Sequence, residues 1–516
     1  MLKSSGAMAA ATMSSRVLGM VREMVYAAFM GNTWVASAFM LAFQIPNLFR
    51  RLLGEGALTA AFIPIFKQKE HNEGPREMWR AANAVISGLV VSAGLLTVLV
   101  IIGISVTLAT ADVARETELM LRLLRMMFPY MLLVCLAAAL IGMANAKGHF
   151  FVPALGAVLL NLILIASVLV MAPRMGSTLP EQIRALAIGV VIAGLAQAVI
   201  QIPILQKEGF HYEWVSPWRD PTVREVVRKM IPGSIGVAAF QINVLATQAF
   251  SFWYDPSIVA TFNYAVRLME LPQGLFGISL ATYLLPTLAG LAAEKKFPEF
   301  RKTLDQGLGY LAFVNLLAAA VCLALATPIV RLIYERGLFG PGETTRSAWA
   351  LACLAPGLLA FSMNNILARA FYAVNDIRTP MRISILCLFL NLGFAIWLVH
   401  PYREAGLGVA NSITSWLNTG LLLFALRKKL GRLDISNFSR SLLVLIPAAL
   451  FAGAIAATTY WFWARHLGSA TLPLKIGAVF GPGILAGLCY LAFGWFGKVP
   501  AAREILAFVA FRGNRL

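Results

Sequence analysis

Arginine is the residue type in this chain with the means to do chemistry, and it stands where arginine is costly. Within residues 11–66, Arg16, Arg22, Arg50 and Arg51 lie in long apolar sequence with Glu23 and Glu55, and the later segment NYAVRLMELPQG carries Arg267 and Glu270. A guanidinium at the bilayer centre costs about 2.5–3.5 kcal/mol on insertion scales, so it is kept where it faces a wet cavity, a carboxylate or an anionic ligand. Five arginines against three glutamates leave these positions net positive. A positive, water-filled cavity attracts an anion, and the planar fork of arginine suits a phosphate better than the point charge of lysine. The expected chemistry is therefore capture and release of an anion. Nothing supports catalysis: no Walker loop, zinc motif or nucleophile elbow occurs. The five histidines lie at or near connections, and the five cysteines fall inside apolar runs without ligand spacing, so no metal or cofactor is expected.

Spacing says how these side chains could be aimed. Arg16 and Arg22 are six residues apart, about 120° around an ideal helix, and Gly19 between them offers a place to bend. Pro46 precedes Arg50, and Gly54 and Gly56 follow it. Broken helices at a repeat interface commonly build transporter sites. Arg267 and Glu270, at i and i+3, can pair on one helix face. Arg369, in SMNNILARAFYAVND beside Asn364 and Asn365, is a further candidate from the second half. Gln241, Asn243 and Gln248 suit hydrogen bonding between helices better than a cation site.

The elements that must position them are membrane helices. Of 516 residues 59% are hydrophobic and only 13% charged, with a mean hydropathy of +0.75; soluble domains carry roughly 25% charged residues. Apolar segments near 7–30, 34–66, 81–109, 119–146, 151–172, 183–205, 231–253, 258–292, 304–334, 346–374, 380–400, 405–426, 441–463 and 472–496 predict an all-α polytopic membrane protein of about fourteen transmembrane helices. Arg16 and Arg22 interrupt the first segment, which reads as a retained span rather than a signal peptide.

The net charge of +19 is concentrated in alternate connections, among them 67–80, 207–229, 295–302 and 427–440, which places both termini in the cytoplasm by the positive-inside rule. No nucleic-acid module accompanies that charge. Residues 45–66 echo 271–291, and 145–166 echo 373–396, at offsets of roughly 225–230 residues, or six spans. Parallel repeats related by an axis along the membrane normal follow: a six-helix lobe at 1–206, a cytoplasmic linker at 207–229, a second six-helix lobe at 230–430, and two additional helices with a cytoplasmic tail at 431–516.

With SRVLGMVRE at 15–23, IPNLFRRLLGEGALTAAFIPIF at 45–66 and NYAVRLMELPQG at 263–274, the chain resembles the MurJ/MviN family of lipid II flippases, within the larger group of multidrug, oligosaccharidyl-lipid and polysaccharide exporters. The likeness runs over essentially the whole chain. It implies translocation of the undecaprenyl-diphosphate-linked peptidoglycan precursor to the outer leaflet of the bacterial cytoplasmic (inner) membrane by alternating access, without covalent chemistry. Arg16, Arg22, Arg50 and Arg267 match the family's substrate-binding arginines and would hold the diphosphate. Glu23, Ser37, Asn47, Glu55, Glu270 and Arg369 would support or gate the site. The last two helices would offer the lipid tail a groove, cell-wall synthesis machinery is an implied partner, and coupling to membrane potential or to a monovalent cation is compatible with the sequence.

Two positions depart from the family pattern. Ser37 and Val266 stand where the family typically has aspartate. Alternative readings of the same chain are a flippase for another lipid-linked oligosaccharide and a multidrug or metabolite exporter of the same fold. An exporter of cations would call for an acidic cavity. A non-transporting scaffold would have no reason to bury four arginines.

Overall fold

The computed structural model describes residues 2–50, 58–431, 433 and 435–504. Among the described residues the regular structure is helical, apart from one isolated bridge between Arg336 and Phe339. By packing the chain divides into two units, Met1–Ala260 and Thr261–Leu516.

The first unit contains α1 (Leu2–Met30), α2 (Trp34–Phe49), α3 (Leu58–Glu73), α4 (Pro75–Thr110), α5 (Arg115–Met127), α6 (Pro129–Ala146), α7 (Phe151–Ala166), α8 (Leu179–Val199), α9 (Ile202–Lys207) and α10 (Pro221–Tyr254). Their starts are written in capping residues. The Thr33 hydroxyl accepts the Ala36 N–H at 3.2 Å ahead of α2, and a Thr178–Glu181 capping box opens α8. Asp220 accepts the Thr222 N–H at 2.8 Å with Pro221 in the first turn of α10, where a missing N–H costs nothing.

Inside this unit α1 packs on α7, α2 on α5, and α6 on α8. At one end Phe66 meets Trp79 edge-on and Phe210 meets it at a tilt, with centroids 5.5 and 5.4 Å apart, and the Lys147 ammonium lies 5.6 Å from the Trp79 ring. The aromatics bury apolar area while the cation caps the cluster. The helix α10 packs on α2, α3 and α4. The packing division therefore falls at residue 260, whereas the repeat offsets set the lobe boundary near residue 230.

The second unit takes α11 (Ser257–Pro272), whose first turn closes the first unit, α12 (Ser279–Ala293), α13 (Phe297–Ala324), α14 (Ala326–Tyr334), α15 (Pro341–Leu354), α16 (Leu358–Ala373), α17 (Arg378–Leu430), α18 (Ser436–His466) and α19 (Leu472–Phe496). Between α11 and α12 the chain runs through a π-helical turn, Gln273–Ile278, directly after Pro272, which has no N–H to give the α-helical ladder. Gly277 lies in that turn because a Cβ there would sit 2.7 Å from the Ser362 hydroxyl on α16.

The core of the second unit joins α13 to α16, α18 and α19. The buried Asp305 carboxylate accepts the Phe438 N–H at 2.9 Å near the start of α18, and the Tyr490 hydroxyl donates to the Phe313 carbonyl at 2.8 Å. These bonds attach the last two helices to α13 with their polar groups satisfied, as the absence of water in a bilayer demands.

Within α17 the chain reverses at Arg403, which adopts φ 52° just after Pro401. Glycine at 406 is required by that reversal, since a Cβ would lie 2.1 Å from the Leu398 carbonyl oxygen. Taking α17 as two helices, helical structure occupies each of the fourteen apolar stretches, and nine helical segments among the described residues are long and apolar enough to cross a membrane. The protein is a multi-pass membrane protein.

Candidate anion-binding site

Three elements carry the four arginines. In the first unit, α1 is continuous through Gly19, and Gly19 faces α7, where its Cβ position would be 3.8 Å from the Asn161 amide nitrogen. Asn161 donates to the Ser15 carbonyl at 3.1 Å, which fixes α1 beside Arg16. The Arg16 side chain is exposed and has no hydrogen-bond or ion-pair partner among the described residues.

Arg22, on the same helix, is differently placed. Its side chain is 15% exposed, one terminal nitrogen is hydrogen-bonded to the buried Glu23 carboxylate, and its guanidinium lies 5.6 Å from the Tyr26 ring. Arg22 Nε is buried without a hydrogen-bond partner among the described residues. The carboxylate and the ring face of Tyr26 both stabilise the positive charge, while the orphaned N–H remains a donor that an incoming oxygen could satisfy. Tyr26 lies four residues beyond Arg22, one helical turn on, and that spacing is the sequence signal by which it could have been found.

Arg50 ends α2. Its Nε donates to Asn47 Oδ1 at 2.7 Å, so Asn47 orients the guanidinium from one turn back. Ser37 is fully buried on the same helix and accepts the Ala260 N–H at 2.9 Å, within the first unit. Here the hydroxyl gives the Ala260 N–H, in the first turn of α11, an acceptor from α2. Arg51 and Glu55 lie outside the described residues.

In the second unit Arg267 Nη1 donates to Glu270 Oε2 at 2.8 Å, the i,i+3 pair anticipated from the sequence, and both side chains are nearly half exposed. Val266 precedes the arginine and is half-buried. On α16 the Arg369 Nη1 donates to the Thr282 hydroxyl of α12 at 2.7 Å. Each unit thus offers guanidinium groups held by short local contacts. Among the described residues no cluster of His, Cys, Asp and Glu could hold a metal ion.

The family model described as "Lipid II flippase MurJ" matches residues 26–475 of this chain. The chain belongs to the MurJ family. Among MurJ relatives, the probable lipid II flippase of Haemophilus influenzae is 32% identical over 478 residues, covering 88% of this chain and 91% of that protein. The probable lipid II flippase of Rhizobium meliloti is 32% identical over 502 residues, covering 96% and 93%. The lipid II flippase MurJ of Burkholderia cenocepacia is 32% identical over 462 residues, covering 87% and 88%.

Among solved structures, a lipid II flippase MurJ in an inward closed conformation aligns with a TM-score of 0.78 at 22% identity, covering 95% of this chain and 98% of that one. An inward-facing multidrug transporter of the MATE family aligns with a TM-score of 0.62 at 14% identity. The MurJ and MATE likenesses at those identities establish the shared transporter fold. The MurJ match begins at residue 26, so it takes in Arg50 and Arg267, while Arg16 and Arg22 lie before it.

Proposed function

We propose that the protein is a flippase for lipid II, carrying the undecaprenyl-diphosphate-linked precursor from the cytoplasmic to the outer leaflet of the bacterial inner membrane, with both termini in the cytoplasm. The observation that carries this reading is Arg16: a guanidinium exposed on an apolar helix without a partner among the described residues, in a chain of the MurJ family. A diphosphate supplies the anion such a residue needs, and Arg22, Arg50 and Arg267 share the task. Alternating access of the two lobes moves the head group, and no bond is broken.

Asn47 aims Arg50 and Glu270 holds Arg267, while Glu23 tempers Arg22 until substrate competes for it. Glu55 and Arg369 complete the supporting set. With this much positive charge, membrane potential can bias the cycle at about 2.3 kcal/mol per unit charge per 100 mV; a coupling monovalent cation is the other energy source, and the cell-wall synthesis machinery receives the product.

Complementation of a bacterium depleted of its own lipid II flippase tests the proposal. Wild type is compared with Arg16→Ala, Arg22→Ala, Arg50→Ala and Arg267→Ala at matched membrane levels. Rescue by wild type alone supports it. Equal rescue by all four variants makes the arginines structural, and failure of well-expressed wild type removes the substrate assignment.

A further inference from the structure

A second feature of the molecule lies in the second unit. Between α15 and the second half of α17 an open groove of about 660 Å³ is walled by Trp349, Ala352 and Pro356 on one side and Val409, Ile413 and Trp416 on the other. Its floor is closed by tight backbone packing. A Cβ at Gly408 would sit 2.9 Å from the Cys353 Cβ, and one at Gly357 would sit 3.0 Å from the Ser412 Cα. Ser412, the hydroxyl on that floor, donates to the Cys353 carbonyl at 2.8 Å, so the groove presents carbon to whatever enters. The Trp416 indole N–H donates to the Pro356 carbonyl at 3.0 Å, which holds its ring as a fixed wall, and Trp349 opposite is 64% exposed.

The groove has a polar mouth. A recess of about 180 Å³ adjoins it, sharing Leu323, Trp349 and Ala352 and adding Thr327 and Thr345. One turn beyond Trp349, Arg346 makes a two-pronged contact with Glu404 at 2.7 and 2.9 Å, and Arg403 approaches the same carboxylate at 3.9 Å. In that cluster two guanidinium groups, Arg346 and Arg403, meet one carboxylate, Glu404. The mouth is therefore polar with an excess of positive charge.

Length decides the occupant. From Trp349 on α15 to Pro356 just past its end, and from Val409 to Leu417 along α17, the apolar walls run about 10–12 Å at 1.5 Å per residue. With the Arg346–Glu404 pair about one turn further on, the distance from charge to closed end is about 15–20 Å, roughly half of a hydrocarbon core about 30 Å thick. An apolar channel that adjoins a hydroxyl-bearing recess and ends about one turn short of the Arg346–Glu404–Arg403 cluster matches a molecule with a hydrocarbon chain and an anionic phosphodiester at one end. We propose that this groove holds one acyl chain of a phospholipid whose phosphate lies at the Arg346–Glu404–Arg403 mouth. The lipid is a resident of the fold rather than its cargo, and its site does not depend on the transport reading.

Native mass spectrometry of the purified full chain tests this, using dipalmitoyl phosphatidylethanolamine against dipalmitoylglycerol, which has the same chains without the phosphate. Wild type should retain one more phospholipid than diacylglycerol at equal concentration. Ala352→Trp and Val409→Trp fill the groove from opposite walls, and each should lower that retention roughly tenfold, the loss of burial for only one or two methylene groups. Arg403→Gln should erase the preference for the phosphate-bearing lipid while leaving chain binding. Equal retention of both lipids by wild type overturns the proposal, as does undiminished binding in both filled variants. Displacement of the phospholipid by a polyprenyl diphosphate in wild type and not in Ala352→Trp overturns it too, making the groove a substrate-tail site.

Discussion

Asn161 on α7 donates one amide hydrogen to the Ser15 carbonyl of α1 at 3.1 Å and the other to the Ala157 carbonyl of its own helix at 3.0 Å. The residue after Ser15 is Arg16, so the same amide that joins the two helices sets where that guanidinium leaves α1.

Replacing it by leucine tests the link. Interhelical hydrogen bonds in membranes average about 0.6 kcal/mol and reach about 1.7. Asn161→Leu is expected to lower thermal stability in detergent by about that much. Rescue of a flippase-depleted strain should fall further than such a loss accounts for, because the register of Arg16 against α7 is no longer fixed. Rescue that tracks the stability change alone would make Asn161 a purely structural residue.

Arg267 gives the opposite contrast. Its pair with Glu270 is exposed and local, and i,i+3 pairs of this kind contribute about 0.2–0.5 kcal/mol. Arg267→Ala should abolish rescue at matched membrane levels, while Arg267→Lys, which keeps charge without the fork, should rescue partially. A large stability loss in Arg267→Ala would contradict the binding role.

Ser37 is expected to tolerate the aspartate typical of the family. Its hydroxyl accepts the Ala260 N–H in the first turn of α11, and a carboxylate accepts equally well, beside the positive end of the helix dipole. Ser37→Asp should therefore stay close to wild type in thermal stability. Ser37→Ala, which removes this hydrogen bond, should cost about 1 kcal/mol.

A pH dependence is built into the connection between α16 and α17. The Lys429 ammonium, 2.5 Å from Asp376 Oδ2, with help from the Thr379 N–H and hydroxyl, holds the Asp376 carboxyl down at about 2 against an ordinary value of 3.8. A depressed folded value contributes stability that is present above the unfolded value and is lost as pH falls through the folded one. The stability difference between wild type and Asp376→Asn should be flat from pH 7 down to about 4 and shrink between about 4 and 2, read as thermal unfolding across that range. A difference that already changes between pH 7 and 5 would assign the effect to another group.

The spans were legible because about twenty apolar residues in a row admit one structure in a bilayer, so each apolar stretch from 7–30 to 472–496 has its helix. The ends were less so. Residues 207–229 read as a connection from their charges, yet α10 begins at Pro221 and carries Arg224, Arg228 and Lys229 on helix. The Asp220–Pro221 cap was in the sequence, but a polar helical turn outside the hydrocarbon carries no hydropathy signal. At the site, Arg267 with Glu270 and Arg22 with Glu23 could be paired by spacing. Asn161 with Ser15 and Ser37 with Ala260, 146 and 223 residues apart, could not, since contacts between distant helices leave no local pattern.

The tight reversal inside α17 bears on how the chain is made. Glu404 follows Arg346 by 58 residues, so at about 5–20 residues per second the ribosome delivers the carboxylate roughly 3–12 s after the guanidinium it will clasp. During that interval Arg346 has yet to meet Glu404, and the later helical hairpin, turned at Arg403 with almost no loop, brings the carboxylate in as a single piece. The clasp between α15 and the second half of α17 therefore closes only after translation has passed Glu404, which makes this contact a late step in the assembly of the second unit.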